Sequence, residues 1–489
     1  MSIRRHPLPR SGRWMDAFTG WTLSVLVLGS VVLAVLLWSV APPSTLSQVN
    51  EASYQAPDSV ATTYASVVRP MSMVFLYPGG VVRSVNDYDQ DAAAFGTAWD
   101  AVQSVLENLT PAEVTSGNTT TWDALQAAIS AADATNPGTS TQTAGGGAIE
   151  ANFATALPWS VLWSLAPSHS AWDGKVDPLV TTLLIVPGGT TQIWLGGPQA
   201  SVLELSVVLG AAGAALTDVL QESNGVGEPM VPFTSDLEGL PCYACYVPSQ
   251  LPDLAPVSLA QAGEQLSPKD LAAALFPDPL QVQEATESGA VKYTDPDGKE
   301  LIVNNGRVDF TALVPEASSS SAESVSKALL GAFNYVNEGG GWPPESLLSE
   351  MQESASGATF GFSTQYQGYL VLGAPPPIAV TMVGGTPTSY QRQVPSAGPV
   401  IGTAQPLQTA TNAFNFAVAQ VRLGNFPGAP KETVQAVLGL YPAFFMNDAV
   451  LEPVWVVEVV GSAAAGNGLA LVDASGAADG NLVEFISES

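Results

Sequence analysis

From Ala17 to Ala41 the chain carries no charged residue, and Leu23, Val25, Leu26, Val27, Leu28, Val31, Val32, Leu33, Val35, Leu36 and Leu37 make the run apolar around its whole circumference. A segment of this kind has few options. A bilayer core of about 30 Å takes roughly 20 helical residues, because only a helix or a closed barrel satisfies its own backbone there. Trp14, Trp21 and Trp38 fall near the two ends, where amphipathic rings prefer the headgroup region. Arg4, Arg5, Arg10 and Arg13 precede the run against the single acid Asp16, and the next charge after it is Glu51. The positive-inside rule therefore predicts residues 1–16 as a cytoplasmic tail, residues 17–41 as a transmembrane helix in the lipid bilayer, and the bulk of the chain as extracytoplasmic. A cleaved signal peptide shares the basic start and apolar core. The run is longer than a typical signal core, however, and Trp38 to Pro43 offers no clean small-x-small cleavage site.

The outer part is acidic by omission. Four of the fifteen basic residues and one of the forty-four acidic ones precede residue 17, leaving eleven against forty-three. Only 12% of the chain is charged, against roughly 25% in ordinary proteins, so the imbalance reflects missing Lys and Arg. Such a surface repels phosphate backbones and excludes nucleic acid as a partner. It also suits an acidic medium, where protonation relieves self-repulsion. An apolar content of 46% with eleven Trp, sixteen Phe and twelve Tyr argues for packed cores.

Catalytic patterns are absent from the sequence. Beyond the apolar run the one histidine is His169, in Pro167-Ser168-His169-Ser170, and there is no G-x-S-x-G, no S-x-x-K with K-T-G and no G-x-x-x-x-G-K. We therefore expect no enzyme and assign no catalytic, cofactor-binding or metal residue, and no cofactor. Cys242 and Cys245 have C-x-x-C spacing, but Pro241 and Pro248 flank them in a loop rather than a strand leading into a helix. A structural disulfide or two free thiols fits this better than a redox centre. Asp295 with Asp297, and Asp87 with Asp89, sit where Asp serves turns. Trp159, Trp163 and Trp172 read as a sugar or partner surface, or equally as core. Within the apolar run, Gly29, Ser30 and Ala34 are small enough to admit a second helix, or simply face lipid.

Hydrophobic periodicity predicts an α+β architecture of modest antiparallel sheets, each with a helix packed on it. We divide the outer part into an N-terminal domain at 42–250, a central domain at 251–377 and a C-terminal domain at 378–489. The N-terminal domain is read as a strand at 71–77, a helix at 92–109, a polar loop at 135–147, strands at 180–186 and 191–195, and a helix at 203–220. In the central domain, Ser267-Pro268-Lys269-Asp270 starts a helix and Asp295-Pro296-Asp297-Gly298 turns a hairpin into the strand 300–304. Further strands follow at 307–313 and 366–372, with a helix at 324–336 closed by Gly339 to Gly341. The C-terminal domain carries strands at 378–383, 389–393, 454–460 and 469–472 and a helix at 407–421.

Five features resemble the YycH-type regulatory proteins of Gram-positive bacteria. They are Val67-Val68-Arg69-Pro70 after the apolar run; Leu275-Phe276-Pro277-Asp278; Tyr293-Thr294-Asp295 with Leu301; Tyr390-Gln391-Arg392; and Leu451-Glu452-Pro453-Val454-Trp455. The resemblance implies an anchored outer protein of three domains, the last two related to each other and to a companion, YycI. It also implies association with the membrane sensor histidine kinase of the WalKR (YycFG) two-component system, tuning its control of cell-wall metabolism without catalysis. The alternative is a cell-wall glycan-binding or hydrolysing surface protein, which would use two carboxylates.

Overall fold

The computed structural model describes residues 62–488 apart from 89–90, 134–146, 167, 170–171, 173, 175, 199–200, 235–236, 238–239, 244, 261–265, 314–323, 355, 374, 395, 425–433, 448–449, 462–466 and 475–481. The expected transmembrane helix, with Gly29, Ser30 and Ala34, lies outside the described residues. Among the described residues no helix is long and apolar enough to cross a membrane.

The first part of the chain builds a nine-stranded antiparallel sheet. Its strands are β1 (Ser72–Tyr77), β2 (Val81–Val85), β3 (Asn118–Thr121), β4 (Ala148–Pro158), β5 (Leu179–Val186), β6 (Thr191–Gly196), β7 (Ser201–Val207), β8 (Glu228–Pro232) and β9 (Tyr246–Pro248), ordered β3-β7-β6-β5-β4-β1-β2-β8-β9. Among the described residues six helices accompany them, the first ahead of β1 and the others between strands: α1 (Tyr64–Val67), α2 (Ala92–Glu107), α3 (Pro111–Thr115), α4 (Trp122–Asp133), α5 (Trp159–Trp163) and α6 (Ala211–Glu222). Strand β1 shows why both faces are covered. Every residue from Met73 to Tyr77 is buried, and the period-two pleat sends alternate side chains to opposite sides. Met73 and Phe75 join the core under α2 and α6, whereas Val74 and Leu76 join a second cluster under Trp122 and Leu125 of α4.

Among the described residues the remainder forms a fifteen-stranded sheet with three α-helices, together with a two-stranded pair of β10 (Asp253–Leu254) and β22 (Gln405–Pro406). Its strands are β11 (Val257–Ala260), β12 (Gln283–Glu287), β13 (Ala290–Thr294), β14 (Glu300–Asn304), β15 (Arg307–Thr311), β16 (Leu347–Ser354), β17 (Gly357–Tyr366), β18 (Tyr369–Gly373), β19 (Ile378–Val383), β20 (Thr386–Arg392), β21 (Ser396–Val400), β23 (Ala436–Asn447), β24 (Val450–Val460), β25 (Asn467–Asp473) and β26 (Leu482–Glu488). Helices α7 (Pro268–Leu275) and α8 (Val325–Glu338) lie over the β12 to β20 end, and α9 (Ala410–Arg422) packs on β23, β24 and β25. Strand β17 joins the halves: residues up to Ser363 pair with β16 and β19, and Thr364 to Tyr366 pair with β18. Strand β18 then runs parallel to β23.

The fold is mixed α+β with antiparallel sheets, but the sheets are broad rather than modest. Residues 203–220 are not one helix. Leu203, Leu205 and Val207 alternate along β7, where Leu203 pairs with Leu195 of β6, and Gly210 at φ 53° breaks the chain before α6 starts at Ala211. Residues 366–372 are not one strand either. Gln367 has φ 54° and Gly368 has φ 81°. Two successive positive φ angles give the twist of a two-residue hairpin loop. The pairing also runs across position 377/378, since β19 and β20 hydrogen-bond β17 and β15.

Candidate functional site

Cys242 and Cys245 are joined by a disulfide. The bonded loop lies against β23: the Tyr243 N–H donates to the Val437 carbonyl at 2.8 Å, and the Val437 N–H donates to the Pro241 carbonyl at 3.0 Å. This is a docked loop at a strand edge, without the helix N-terminus that lowers a reactive thiol's pKa.

Several other residues singled out in the sequence are held in packing, turn or ion-pair contacts. Trp159 and Trp163 are buried in the core, and Trp172 packs on Trp163 edge to face at 5.0 Å. His169 stacks on Trp163 at 3.6 Å, and its two ring nitrogens lie 3.2 and 3.0 Å from the carbonyls of Trp163 and Glu107. Both nitrogens thus face backbone carbonyls, to one or other of which the N–H of a neutral ring can donate, rather than a serine hydroxyl. Asp295 accepts from the Lys299 N–H at 2.8 Å, which holds the β13–β14 turn. Asp87 pairs with Arg69 at 3.3 Å, and Asp89 lies outside the described residues. Among the described residues no three His, Cys, Asp or Glu side chains gather closely enough to hold a metal ion.

What the sequence did not point to is a pocket of about 110 Å³ at the seam between the two sheets. One wall is the first sheet, through Val74 of β1, Ser84 of β2, Asn152 of β4, Thr182 of β5 and Glu228 of β8. The opposite wall is the second sheet, through Tyr369 of β18, Leu438 to Pro442 of β23 and Glu458 of β24. The seam is bridged beside the pocket, where Asn86 Nδ2 donates to the Gly368 carbonyl at 3.1 Å and Gln365 Nε2 to the Met71 carbonyl at 3.4 Å.

Burial disfavours the charged form of a carboxylate, and two glutamates here show it. Glu228 is half-buried and is pushed up to about 7, by burial first and by the negative charge of Asp91 second. Glu150, on the same strand as Asn152, is fully buried and is also raised by burial to about 7, with the Asn152 amide pulling the other way. Asn152 Nδ2 donates to Glu150 Oε1 at 2.9 Å and Thr182 Oγ1 donates to Asn152 Oδ1 at 3.2 Å, so a short polar chain links the pocket wall to the buried acid. The pocket draws on strands far apart in sequence, and no local pattern marks Glu228 or Glu458.

No family model and no curated protein matches this chain in sequence. Solved structures do. The chain is similar to YycH from Bacillus subtilis with a TM-score of 0.51 at 16% identity, covering 82% of this chain and 96% of that one. The fold is YycH-like. The C-terminal domain of Bacillus megaterium YpeB also matches, with a TM-score of 0.29 at 12% identity, over 46% of this chain and all of that one.

Several of the residues that carry the resemblance are packed into the cores of this fold, whereas Pro277 and Asp278 are exposed. Arg69 is buried with its guanidinium carbon 5.4 Å from the Phe95 ring centroid. Leu275, Phe276, Tyr293 and Leu301 belong to one core. Buried Arg392 donates to the Gly341 carbonyl, 2.6 Å away, just beyond the C-terminus of α8. Trp455 is buried with Nε1 donating to the Gln408 carbonyl at 2.9 Å.

Proposed function

We propose that the chain is a membrane-anchored, extracytoplasmic regulator of a sensor histidine kinase of the WalK (YycG) type, acting by protein–protein contacts with the kinase and a YycI-like partner rather than by catalysis. The observation that supports this most is the YycH-like fold, which spans 82% of this chain and 96% of YycH. The sequence supports it independently through the apolar run at 17–41, whose Gly29, Ser30 and Ala34 suit close approach of a kinase helix. In the same reading the central and C-terminal parts are relatives of each other. Such a regulator biases a two-state kinase only as far as its contacts differ between the states. Co-purification from intact membranes tests this. A histidine kinase is expected with the native chain and lost when residues 17–41 are replaced by an unrelated span. Absence of a kinase from both preparations overturns the proposal.

One observation favours the alternative of a glycan-hydrolysing surface protein. Glu228 and Glu458 line one pocket, and Glu228 is held protonated toward neutral pH, as a general acid requires. Release of soluble fragments from purified cell wall, abolished by Glu228→Gln, is the outcome that would select it over the regulator.

A further inference from the structure

The hydrogen-bonding inventory of the seam pocket is lopsided. Four side-chain donors in its lining are already spent on the protein: Asn86 on the Gly368 carbonyl, Asn152 on Glu150, Thr182 on Asn152, and Thr181 on the Gly196 carbonyl at 3.2 Å. The lining contains two carboxylates, Glu228 and Glu458, and no Lys, Arg or His. The nearest cationic residue in sequence does not help. Arg83 alternates with Ser84 along β2, so it lies on the opposite face of the sheet, where its guanidinium donates to the Gly227 carbonyl at 2.8 Å. Among the described residues Glu228 has no ion-pair partner.

The hydroxyls of Ser72, Ser84, Tyr246, Tyr369 and Tyr441 also line the cavity, but the formal charge in its lining is carboxylate, and half-buried Glu228 faces it with no basic side chain beside it. Its complement is a positively charged donor. The remaining walls say what kind. Tyr369 and Tyr441 bring aromatic surface, and Val74, Met230 and Leu438 are apolar; aromatic faces attract ammonium groups. Size sets the limit. An apolar cavity of roughly 150 Å³ accommodates a six-carbon ring, so a pocket of about 110 Å³ takes a chain of fewer atoms. We propose that the pocket between the two sheets binds a small primary aliphatic ammonium ion, with Glu228 as its counter-ion and the tyrosine and apolar side chains around its carbon chain. The proposal stands apart from the kinase reading. Because both sheets contribute walls, occupancy would also lock the sheets to each other, coupling ligand to the rigidity of the whole outer part.

The test uses the full chain in non-ionic detergent at pH 8, above the value of about 7 to which Glu228 is raised and so with its carboxylate ionised, and three probes of matched size: n-butylamine, n-butanol and butyrate. Isothermal titration and thermal melts are expected to show saturable binding and a rise in Tm with n-butylamine alone. Glu228→Gln, which keeps shape and removes charge, should weaken that binding at least tenfold, and Glu222→Gln on the distant helix α6 should leave it unchanged. Glu458→Gln provides a second reading should Glu228→Gln not fold. Equal responses to amine and alcohol, absence of amine binding by the folded native chain, or amine binding indifferent to both pocket variants would each overturn the proposal. Nα-acetyl-lysine methylamide separates two sources of the same chemistry. Binding at least tenfold tighter than butylamine assigns the site to a lysine side chain of a peptide, and the reverse assigns it to a free amine.

Discussion

The ring of Tyr243 stacks on that of Trp122, with centroids 5.4 Å apart and planes within 19°, and its hydroxyl donates to Asp123 at 3.1 Å. Tyr243 lies inside the disulfide-closed loop on β23, and Trp122 opens α4 beside the first sheet. The pair therefore clasps the two sheets together.

Aromatic pairs add about 0.5–1.5 kcal/mol beyond buried area, so Tyr243→Ala should lower stability by about 1–2 kcal/mol. Tyr243→Phe keeps the stack and should lose less than half of that. Urea denaturation of the two variants measures the difference. Equal losses in both would assign the clasp to the hydroxyl instead of the ring.

Stability should fall as pH rises from about 5 to about 7.5. Glu150 and Glu228 are raised from 4.5 to about 7, and burial raises Glu345 and Glu350 as well. A carboxyl whose folded pKa exceeds its unfolded value binds more protons folded than unfolded between the two values. The fold is thus favoured on the acid side of that window and loses the advantage as each group ionises. The chain's net charge of −29 at pH 7 acts in the same direction through self-repulsion. Thermal melts at pH 5, 6 and 7.5 should descend in Tm. Glu150→Gln should flatten the slope and, by removing a buried charge, stabilise the fold at pH 7.5 by about 1 kcal/mol. A maximum at pH 7.5 would contradict this.

Local chemistry makes much of this fold legible in the sequence. Ser267, whose hydroxyl accepts from the Asp270 N–H at 3.4 Å, announces α7, and the strand at 378–383 coincides with β19. The elements that escape are those whose pattern is set by partners far away. Strand β16 carries Ser349, Glu350, Gln352 and Glu353, so it has little apolar signal and exists because β17 pairs with it. Strand β7 is hidden because Leu203, Leu205 and Val207 run into the apolar residues of α6 with little but Gly210 to part them. The seam pocket is illegible for a stronger reason. Asn86, Glu228, Tyr369 and Glu458 meet only after two sheets have formed and packed, and each residue alone is an ordinary strand or turn residue.

Arg392 is 1% exposed and its guanidinium donates to the Gly341 carbonyl, while neighbouring Tyr390 donates to the Gly339 carbonyl at 2.7 Å. Together they satisfy the backbone at the end of α8, which its own helix cannot do. Arg392→Leu leaves the Gly341 carbonyl without this donor and should cost about 3 kcal/mol, cavity and desolvation together. Arg392→Lys should recover little, because a point ammonium does not reproduce the planar fork. Chemical denaturation of both variants decides the matter. Near-native stability of the lysine variant would show that charge alone suffices.

Gly368 couples the hairpin of β17 and β18 to the first sheet. Its φ is 81°, a conformation that favours glycine. A Cβ built there would lie 2.7 Å from Asn86 Nδ2, the atom that donates to the Gly368 carbonyl. Gly368→Ala should therefore cost about 1–2 kcal/mol from backbone strain and an additional amount from displacing Asn86. The two contributions separate in a double-mutant cycle. In an Asn86→Ala background the crowded partner is gone, so the penalty of Gly368→Ala should shrink toward the strain alone, giving a coupling of about 1 kcal/mol. Asn86 and Gly368 both line the seam pocket, so the same cycle read by ligand-induced Tm shift reports whether this bridge also fixes the pocket wall. Additive losses in stability would show instead that the two sheets meet here without energetic communication.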